Sequence, residues 1–386
     1  MCVASPSKCK QHFLRSTVDM LNSNSSKNPI SFTEYGIPIR NLWHMLLYAW
    51  NAAEVRNQLS TGEVESAPTL DALLALVLIK FIQQRMRIGL GRGYVKASQK
   101  LRALRGRVNF PDSLKQQTFE HGEANCDFQQ YSVNEPRNQI IRSTLARLIQ
   151  LGEFGPDQAE AEALTHRLRW LVRNLNGVAM SELTPELIRR QQMLQNENDY
   201  RLMLAICELI LMRQMPLEAE GIHALPHVDR DALILYRIYE RFVANFYRMH
   251  LQGWQVNAQK RLDWHAQNTN EHLPSMIPDL ILEEKETGRI IILDTKFTAG
   301  SLIENQWGKP VYDSSHLYQL YAYLRSQEHL SEAYRKASGI LLYPAVQARL
   351  SEKVELQDHV IRIESVDLAA AWEEIERQLL GLVEIH

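Results

Sequence analysis

The 386-residue chain carries 43 Lys and Arg against 45 Asp and Glu, a net charge of −2, with 45% hydrophobic and 23% charged residues. It is long enough for two domains with cores of their own, and too evenly charged for global basicity to bind nucleic acid, so affinity for a polyanion must come from a local patch. The four scattered cysteines lack metal or disulfide spacing, the longest apolar run is Ala72 to Ile79, and no signal-peptide pattern opens the chain. A secreted disulfide scaffold and a membrane-spanning helix are therefore excluded, and a cytoplasmic protein is expected.

In chain order, residues 1–36 read as a flexible leader, because the Ser/Asn/Lys-rich run Asn22 to Asn28 cannot bury enough surface to order itself. Asn41 to Val55 follows a helical spacing, with Leu42, Met45, Leu46 and Ala49 on one face. Thr69 is placed to cap a second helix whose apolar run, Leu70 to Ile82, predicts a central core element. From Lys80 to Arg107 there are nine basic residues, among them Arg92, Lys96, Lys100, Arg102, Arg105 and Arg107, and no acid. This segment fits a surface for DNA phosphates or for an acidic partner, and equally a solvated irregular β-containing loop. The glycines of Gly89-Leu-Gly-Arg-Gly93 are not followed by Lys-Ser/Thr, and no GxxxxGK[ST] occurs in the chain, so it has no phosphate loop of its own.

Phe119 to Tyr131 reads as a turn and short strand. Helices are predicted over Asn138 to Leu151, Pro156 to Asn174, from Pro185 with Thr184 as cap, and over Asp199 to Met215. The polar, proline-bearing Pro216 to Pro226 is the predicted boundary between a mostly helical domain, 37–220, and a second domain, 221–386.

Past the boundary, Asp229 to Leu251 forms a long amphipathic helix bearing Glu240. Ile277 to Leu282 and Ile290 to Lys296 are apolar, β-branched runs separated by a polar segment ending at Gly288, which predicts an antiparallel hairpin. Centring the turn on Glu286 and Thr287 sets Asp279 opposite Asp294. Lys296 shares the face of Asp294, while Thr295 points away. Two carboxylates and an ammonium on one side suit Mg²⁺, which takes one or two carboxylates and leaves room for water and phosphate. The lysine can orient water or stabilise charge on a phosphodiester under attack. Charges at hairpin ends are also common solvated residues, but here they interrupt an otherwise apolar strand, where burial without a role is costly.

A loop over Trp307 to Ser315, a helix over His316 to Ser326, a buried strand over Ser338 to Tyr343 and a closing helix over Leu368 to Leu382 complete the prediction. Gln319 and Tyr323 are four apart and face the same way, and fit either support of Lys296 and a phosphate or plain half-burial. His265, His272 and His316 have no zinc spacing and are assigned no metal.

Pro278-Asp279 with Asp294-Thr295-Lys296 resembles the PD-(D/E)XK nuclease signature, and Gln319 to Tyr323 its QxxxY element. Ile37 to Trp50 (IPIRNLWHMLLYAW), Arg105-Gly106-Arg107 and Gly339 to Pro344 (GILLYP), in that order, resemble the McrC family. The resemblance implies an α+β chain. A mostly helical N-terminal domain with a small basic β-containing insertion precedes a restriction-endonuclease-like mixed-sheet domain. It implies Asp279 and Asp294 as Mg²⁺ ligands, Lys296 as a catalytic residue, and Glu240 as a further acid, the alternative there being an ordinary exposed glutamate. It further implies double-stranded DNA as substrate, modified cytosine as the recognised base, and an McrB-like AAA+ GTPase as partner, with GTP bound by that partner. A non-catalytic adaptor of a partner NTPase and a stand-alone DNA-repair nuclease are the alternative readings.

Overall fold

Two units account for the chain, Met1–Leu70 together with Ala219–His386, and Asp71–Glu218. The computed structural model describes residues 35–52, 67–193, 197–214, 230–264, 272–297, 302–304, 310–346 and 349–384. Nearly all of the expected leader, the Pro216 to Pro226 boundary and His265 lie outside the described residues, as do 307–309 of the loop expected over Trp307 to Ser315. The remainder of that loop is instead a short strand, Pro310–Tyr312, and the start of a helix at Ser314 capped by Asp313.

Helix α1 (Ile39–Ala49) buries nine of its eleven residues rather than one stripe. The cause is its company, which lies far away in sequence. Asn41 Nδ2 donates to the Leu368 and Ala370 carbonyls, each at 2.8 Å, and Tyr48 stacks on Trp372 at 5.6 Å between ring centres. Asn245 Nδ2 donates to the Tyr48 and Ala49 carbonyls. The expectation that this segment shares a domain with residues up to 220 is corrected: it is part of the unit that carries the large sheet. Spacing along one helix identifies an apolar face but not which distant surface covers it.

The Asp71–Glu218 unit is built on helices α2 (Leu70–Ile88), α4 (Pro136–Leu151), α5 (Gln158–Asn174) and α7 (Asn198–Gln214), with short α3 (Phe110–Lys115) and α6 (Pro185–Arg189). Thr184 caps α6 by accepting from Leu187 N–H, with Pro185 at the first helical position. A three-stranded antiparallel sheet of order β1-β3-β2 joins β1 (Gly93–Leu101), β2 (Arg107–Val108) and β3 (Ala124–Ser132). The glycine-rich turn before β1 is structural. A Cβ on Gly91 would lie 2.8 Å from Glu135 and 2.9 Å from the Tyr200 hydroxyl, and the Gly91 N–H donates to that hydroxyl at 2.8 Å.

The other unit continues with α8 (Arg230–His250), β4 (Trp254–Ala258), β5 (Leu280–Glu284), β6 (Ile290–Thr295), a small β7–β8 pair (Leu302–Glu304 and Pro310–Tyr312) and α9 (Ser314–Gln327). After short α10 (Glu332–Arg335) come β9 (Ser338–Ala345), β10 (Ser351–Leu356), β11 (His359–Asp367) and α11 (Trp372–Glu384). Six strands form one mixed sheet of order β10-β11-β9-β6-β5-β4, parallel only at β11·β9 and β9·β6. Its central strands are wholly apolar or nearly so because both faces are covered. On one face, Leu320, Tyr323 and Leu324 of α9 pack on Ile281, Ile292, Leu341 and Ile363. On the other, the Arg362 guanidinium donates to the Leu382 carbonyl of α11 at 2.5 Å. Gly339 lets α9 close on the sheet, since a Cβ there would meet Leu320 at 2.9 Å.

The chain is therefore a mixed helix-and-sheet, α+β protein. β4, β7, β8, β10 and β11 are not predicted from the sequence, and the closing helix starts at Trp372, four residues later than the expected Leu368. β10 is an edge strand whose residues are mostly exposed and polar, and β11 alternates Ile361 and Ile363 with Arg362 and Glu364, all four of them buried. Among the described residues no helix is long and apolar enough to cross a membrane, and Cys126 and Cys207 are free and buried.

Candidate active site

The β5–β6 hairpin aligns Leu280 with Leu293 and Ile281 with Ile292. One step further along the same register lies Asp279 opposite Asp294, as the spacing predicts. The predicted strand over Ile277 to Asp279 is not formed; pairing begins at Leu280. Pro278 has no N–H to give a ladder, and the Asp279 carboxylate takes over the strand end instead. Its Oδ2 accepts from the Thr295 N–H at 2.7 Å and the Thr295 hydroxyl at 2.6 Å. Thr295 was expected to point away from the acids. It serves Asp279 because β5 pairing has ended where the Thr295 N–H needs an acceptor, and the unpaired Asp279 side chain reaches round to supply one.

Asp294 is 2% exposed and its Oδ2 lies 2.6 Å from Lys296 Nζ. The same atom is buried without a well-aligned hydrogen bond, so the ion pair is its compensation. Lys296 Nζ also donates to Gln319 Oε1 at 2.7 Å, Gln319 Nε2 to the Tyr323 hydroxyl at 2.7 Å, and that hydroxyl to the Ile277 carbonyl at 3.3 Å. Helix α9 thus ties the lysine to the residue two before Asp279. Five of the residues singled out in the sequence, Asp279, Asp294, Lys296, Gln319 and Tyr323, are brought together.

Glu240 sits half-buried on α8 and accepts from Gln259 Nε2. Gln259, whose N–H donates to the Asp279 carbonyl at 3.0 Å, holds a left-handed backbone with φ 48°, a conformation unusual for a residue with a Cβ. Burial first, and the Asp279 charge second, raise the Glu240 carboxyl. The Tyr236 hydroxyl, four residues earlier on the same face of α8, is likewise pushed up by burial and by the charges of Asp279, Glu240 and Asp294. Neither Tyr236 nor Gln259 is marked by a motif; only their meeting in space marks them.

Burial is also the first cause raising both aspartates. Hydrogen bonds from Thr295 oppose it at Asp279. At Asp294 the neighbouring Asp279 charge adds to it, Lys296 opposes it, and the carboxyl reaches about 6. A folded-state value above the unfolded 3.8 contributes stability fully present below pH 3.8 and lost as pH rises through about 6. Without metal, Asp294→Asn should therefore raise the melting temperature at pH 7.5 by several degrees, from about 1–3 kcal/mol, with the gain vanishing near pH 4. Equal melting curves at both pH values would refute the strained acid pair.

The donor set fits a hard divalent cation. Asp279 Oδ1 accepts no hydrogen bond among the described residues, Asp294 Oδ2 is poorly satisfied, and both are carboxylate oxygens, the donors Mg²⁺ prefers. Among the described residues no three His, Cys, Asp or Glu side chains gather into a metal-ligand cluster, leaving two protein carboxylates.

The basic residues belong to the other unit. Lys100 and Arg102 pair with Glu123 at 3.0 and 3.4 Å, Arg105 lies over the Phe128 ring at 4.4 Å, and Arg107 faces Asp127 across β2·β3. Part of the acid-free run thus meets acids on β3 and just before it, while Arg92, Lys96, Lys100, Arg102, Arg105 and Arg107 all stay exposed. Exposed Tyr94 and Tyr131 stand side by side, ring centres 5.3 Å apart, on the same sheet.

A family model described as McrBC 5-methylcytosine restriction system component matches residues 18–344. The Type IV methyl-directed restriction enzyme EcoKMcrBC of Escherichia coli (strain K12) is 26% identical over 350 residues, which cover 90% of this chain and 97% of that one. The half-complex from the tetradecameric assembly of Thermococcus gammatolerans McrB AAA+ hexamers with bound McrC matches at 15% identity and a TM-score of 0.46. That match covers 89% of this chain and 76% of the other. The Thermococcus gammatolerans McrBC complex matches at 15% identity and a TM-score of 0.32, over 45% of this chain and 50% of the other.

Proposed function

The chain belongs to the McrBC 5-methylcytosine restriction system component family, and from that premise we propose that it is the DNA-cutting subunit of a methyl-directed restriction complex. The observation that carries the reading is Asp279 and Asp294 at one end of the β5–β6 hairpin with Lys296 Nζ 2.6 Å from Asp294. We further read the mixed sheet, with α8 before the hairpin and α9 after it, as a PD-(D/E)XK nuclease core.

Asp279 and Asp294 would hold Mg²⁺, which when bound supplies Lewis-acid chemistry at a phosphodiester and lowers the pKa of a water. Lys296, fixed by Asp294 and Gln319, presents an ammonium to the phosphate and stabilises the charge that grows on it as water attacks. Thr295 holds Asp279 as an ionised acceptor. Tyr323 and Gln319 keep the lysine from swinging into solvent, which is what a preorganised donor requires. A non-catalytic adaptor would have no use for two adjacent acids raised by burial, one of them raised further by the charge of the other.

The family description speaks of a system component, and the E. coli relative is named methyl-directed. Both support a partner that reads the modified base. That partner is read as an McrB-like AAA+ GTPase, as the resemblance of the Ile37 to Pro344 motifs to the McrC family implies. The basic, aromatic-bearing sheet of the Asp71–Glu218 unit is the surface assigned to it or to DNA, through Arg92, Lys96, Lys100, Arg102, Arg105 and Arg107.

Incubating this chain with the GTPase, GTP and Mg²⁺ should cut DNA containing 5-methylcytosine and spare unmodified DNA. Cutting of both alike, or of neither, would remove the methyl-directed reading. In the same preparation Asp279→Asn should weaken Mg²⁺ binding by about tenfold in a calorimetric titration, because few protein ligands remain to hold the ion. Unchanged affinity would point to another ligand pair.

A further inference from the structure

On α9, His316 precedes Gln319 by three residues and Tyr323 by seven, so the three share the face that Gln319 turns to Lys296. Strand β9 runs parallel to β6 with Thr295 level with Leu342, and the Lys296 N–H donates to the Leu342 carbonyl at 2.9 Å. The next step of that register brings Tyr343 level with Lys296, with its side chain on the same face of the sheet. Tyr343 and His316 meet there, hydroxyl to Nδ1, at 3.0 Å.

The tautomer follows from hydrogen-bond accounting. Tyr343 is 2% exposed, and among the described residues its hydroxyl has no polar partner besides His316 Nδ1. A buried O–H must donate or forfeit about 1–3 kcal/mol, so Tyr343 donates, Nδ1 accepts, and the ring proton sits on Nε2. That Nε2–H is unspent. Its nearest carboxylate oxygen, Asp313 Oδ2, is 3.9 Å away, beyond hydrogen-bond range. The other Asp313 oxygen is occupied by the Ser315 N–H at 2.9 Å and the Ser315 hydroxyl at 2.5 Å. Burial and the Lys296 charge, opposed by Asp313, lower the imidazole below its ordinary range, consistent with a neutral donor standing on the electropositive side of the site.

A neutral N–H donor held next to an ammonium, with its tautomer fixed and no acceptor of its own, is suited to an anion that binds both groups. We propose that His316, fixed as the Nε2–H tautomer by Tyr343, donates to a phosphate oxygen of the DNA backbone beside Lys296. The proposal rests on the nuclease reading for its ligand and gives roles to His316, which lies in no motif of the chain, and to Tyr343, which lies in the GILLYP run but has no role assigned there. His316 touches the phosphate, and Tyr343 is a positioning residue.

Two measurements on the full-length chain test it separately from the nuclease reading. In EDTA, where no cutting occurs, His316→Ala should bind a duplex oligonucleotide at least about tenfold more weakly than the wild type, the effect of one hydrogen bond to an anion. His316→Gln, which keeps an N–H donor near the Nε2 position, should stay within about twofold. Nitrogen-15 NMR of the imidazole should show the proton on Nε2 in the wild type and a mixture of tautomers in Tyr343→Phe, which should bind with intermediate affinity. Equal binding by wild type and His316→Ala, no measurable binding by either, or an Nδ1–H tautomer in the wild type overturns the proposal. So does a His316→Gln defect as large as that of His316→Ala, which would mean that the ring only packs. With the partner GTPase and Mg²⁺, the KM for DNA should rise in His316→Ala with kcat within about threefold. If the wild type does not cut while the EDTA result holds, the nuclease reading fails and the phosphate contact stands. If His316→Ala cuts with an unchanged KM, the contact fails and the nuclease reading stands.

Discussion

DNA cleavage by the reconstituted complex should fall by at least about 10²–10³-fold when Lys296 is replaced by Ala, the loss seen when one preorganised charge-stabilising donor is removed. The lysine has no packing role that explains its place. Its Nζ lies between Asp294 Oδ2 at 2.6 Å and Gln319 Oε1 at 2.7 Å, where burial raises both neighbouring acids and the Asp279 charge raises Asp294 further. Removing it leaves Asp294 without its counter-charge, and the pair responds by holding a proton rather than by unfolding, since desolvation already favours the neutral acid. Lys296→Ala should therefore keep a cooperative melt. Asp294→Asn should be equally inactive and, without metal above pH 6, more stable than the wild type, the inverse relation expected of a site strained for function. A folded Lys296→Ala protein that cuts DNA at the wild-type rate would end the assignment.

Leu46→Ala should destabilise the sheet-bearing unit by about 2–5 kcal/mol, although Leu46 lies more than two hundred residues before β6 in the chain. Leu46 is fully buried on α1, and α1 is tied by Asn41 to the turn after β11 and by Asn245 to α8. Hydrogen exchange on the full-length chain reads the consequence by location. Amide protection should drop in β6, β9 and α8, while α4 and α7 of the Asp71–Glu218 unit keep theirs. Loss confined to α4 and α7 would return α1 to the amino-terminal domain that the linear reading gave it. The same packing bears on truncation. A chain cut near Pro216 carries α1 away from Trp372 and Phe242, and exposes a helix that is apolar nearly all round. The 71–218 segment without α1 is the piece suited to testing partner contact alone.

Local pattern was enough for much of this protein. Two apolar, β-branched runs and the polar turn between them gave the β5–β6 register, and with it the opposition of Asp279 and Asp294, because antiparallel register is set by the turn between neighbouring strands, although the first strand begins three residues later than expected. Thr184-Pro185, the i to i+4 pair Gln319 and Tyr323, and the long apolar run of α2 were legible for the same reason: each depends on residues within one or two turns of one another. The short motifs from Ile37 to Pro344 also carried the family resemblance without any structure.

Contacts between distant segments decided the rest. No spacing rule reveals that Thr295 serves Asp279, since that bond arises where one strand stops pairing and its neighbour does not. The linear acid-free run from Lys80 to Arg107 hides that Glu123 pairs with Lys100 and Arg102 and that Asp127 faces Arg107, because charges meet in space and not along the chain. β10 and β11 do alternate, at Lys353 to Leu356 and Ile361 to Glu364, but alternation cannot show that Arg362 and Glu364 are themselves buried, which depends on α11 bringing its Leu382 carbonyl to the Arg362 guanidinium. Helix α1 is the largest case: its sequence specified an apolar helix, but its membership in the sheet-bearing unit depends on complementary surfaces on α8 and α11, which close over it only when residues three hundred positions apart are folded together.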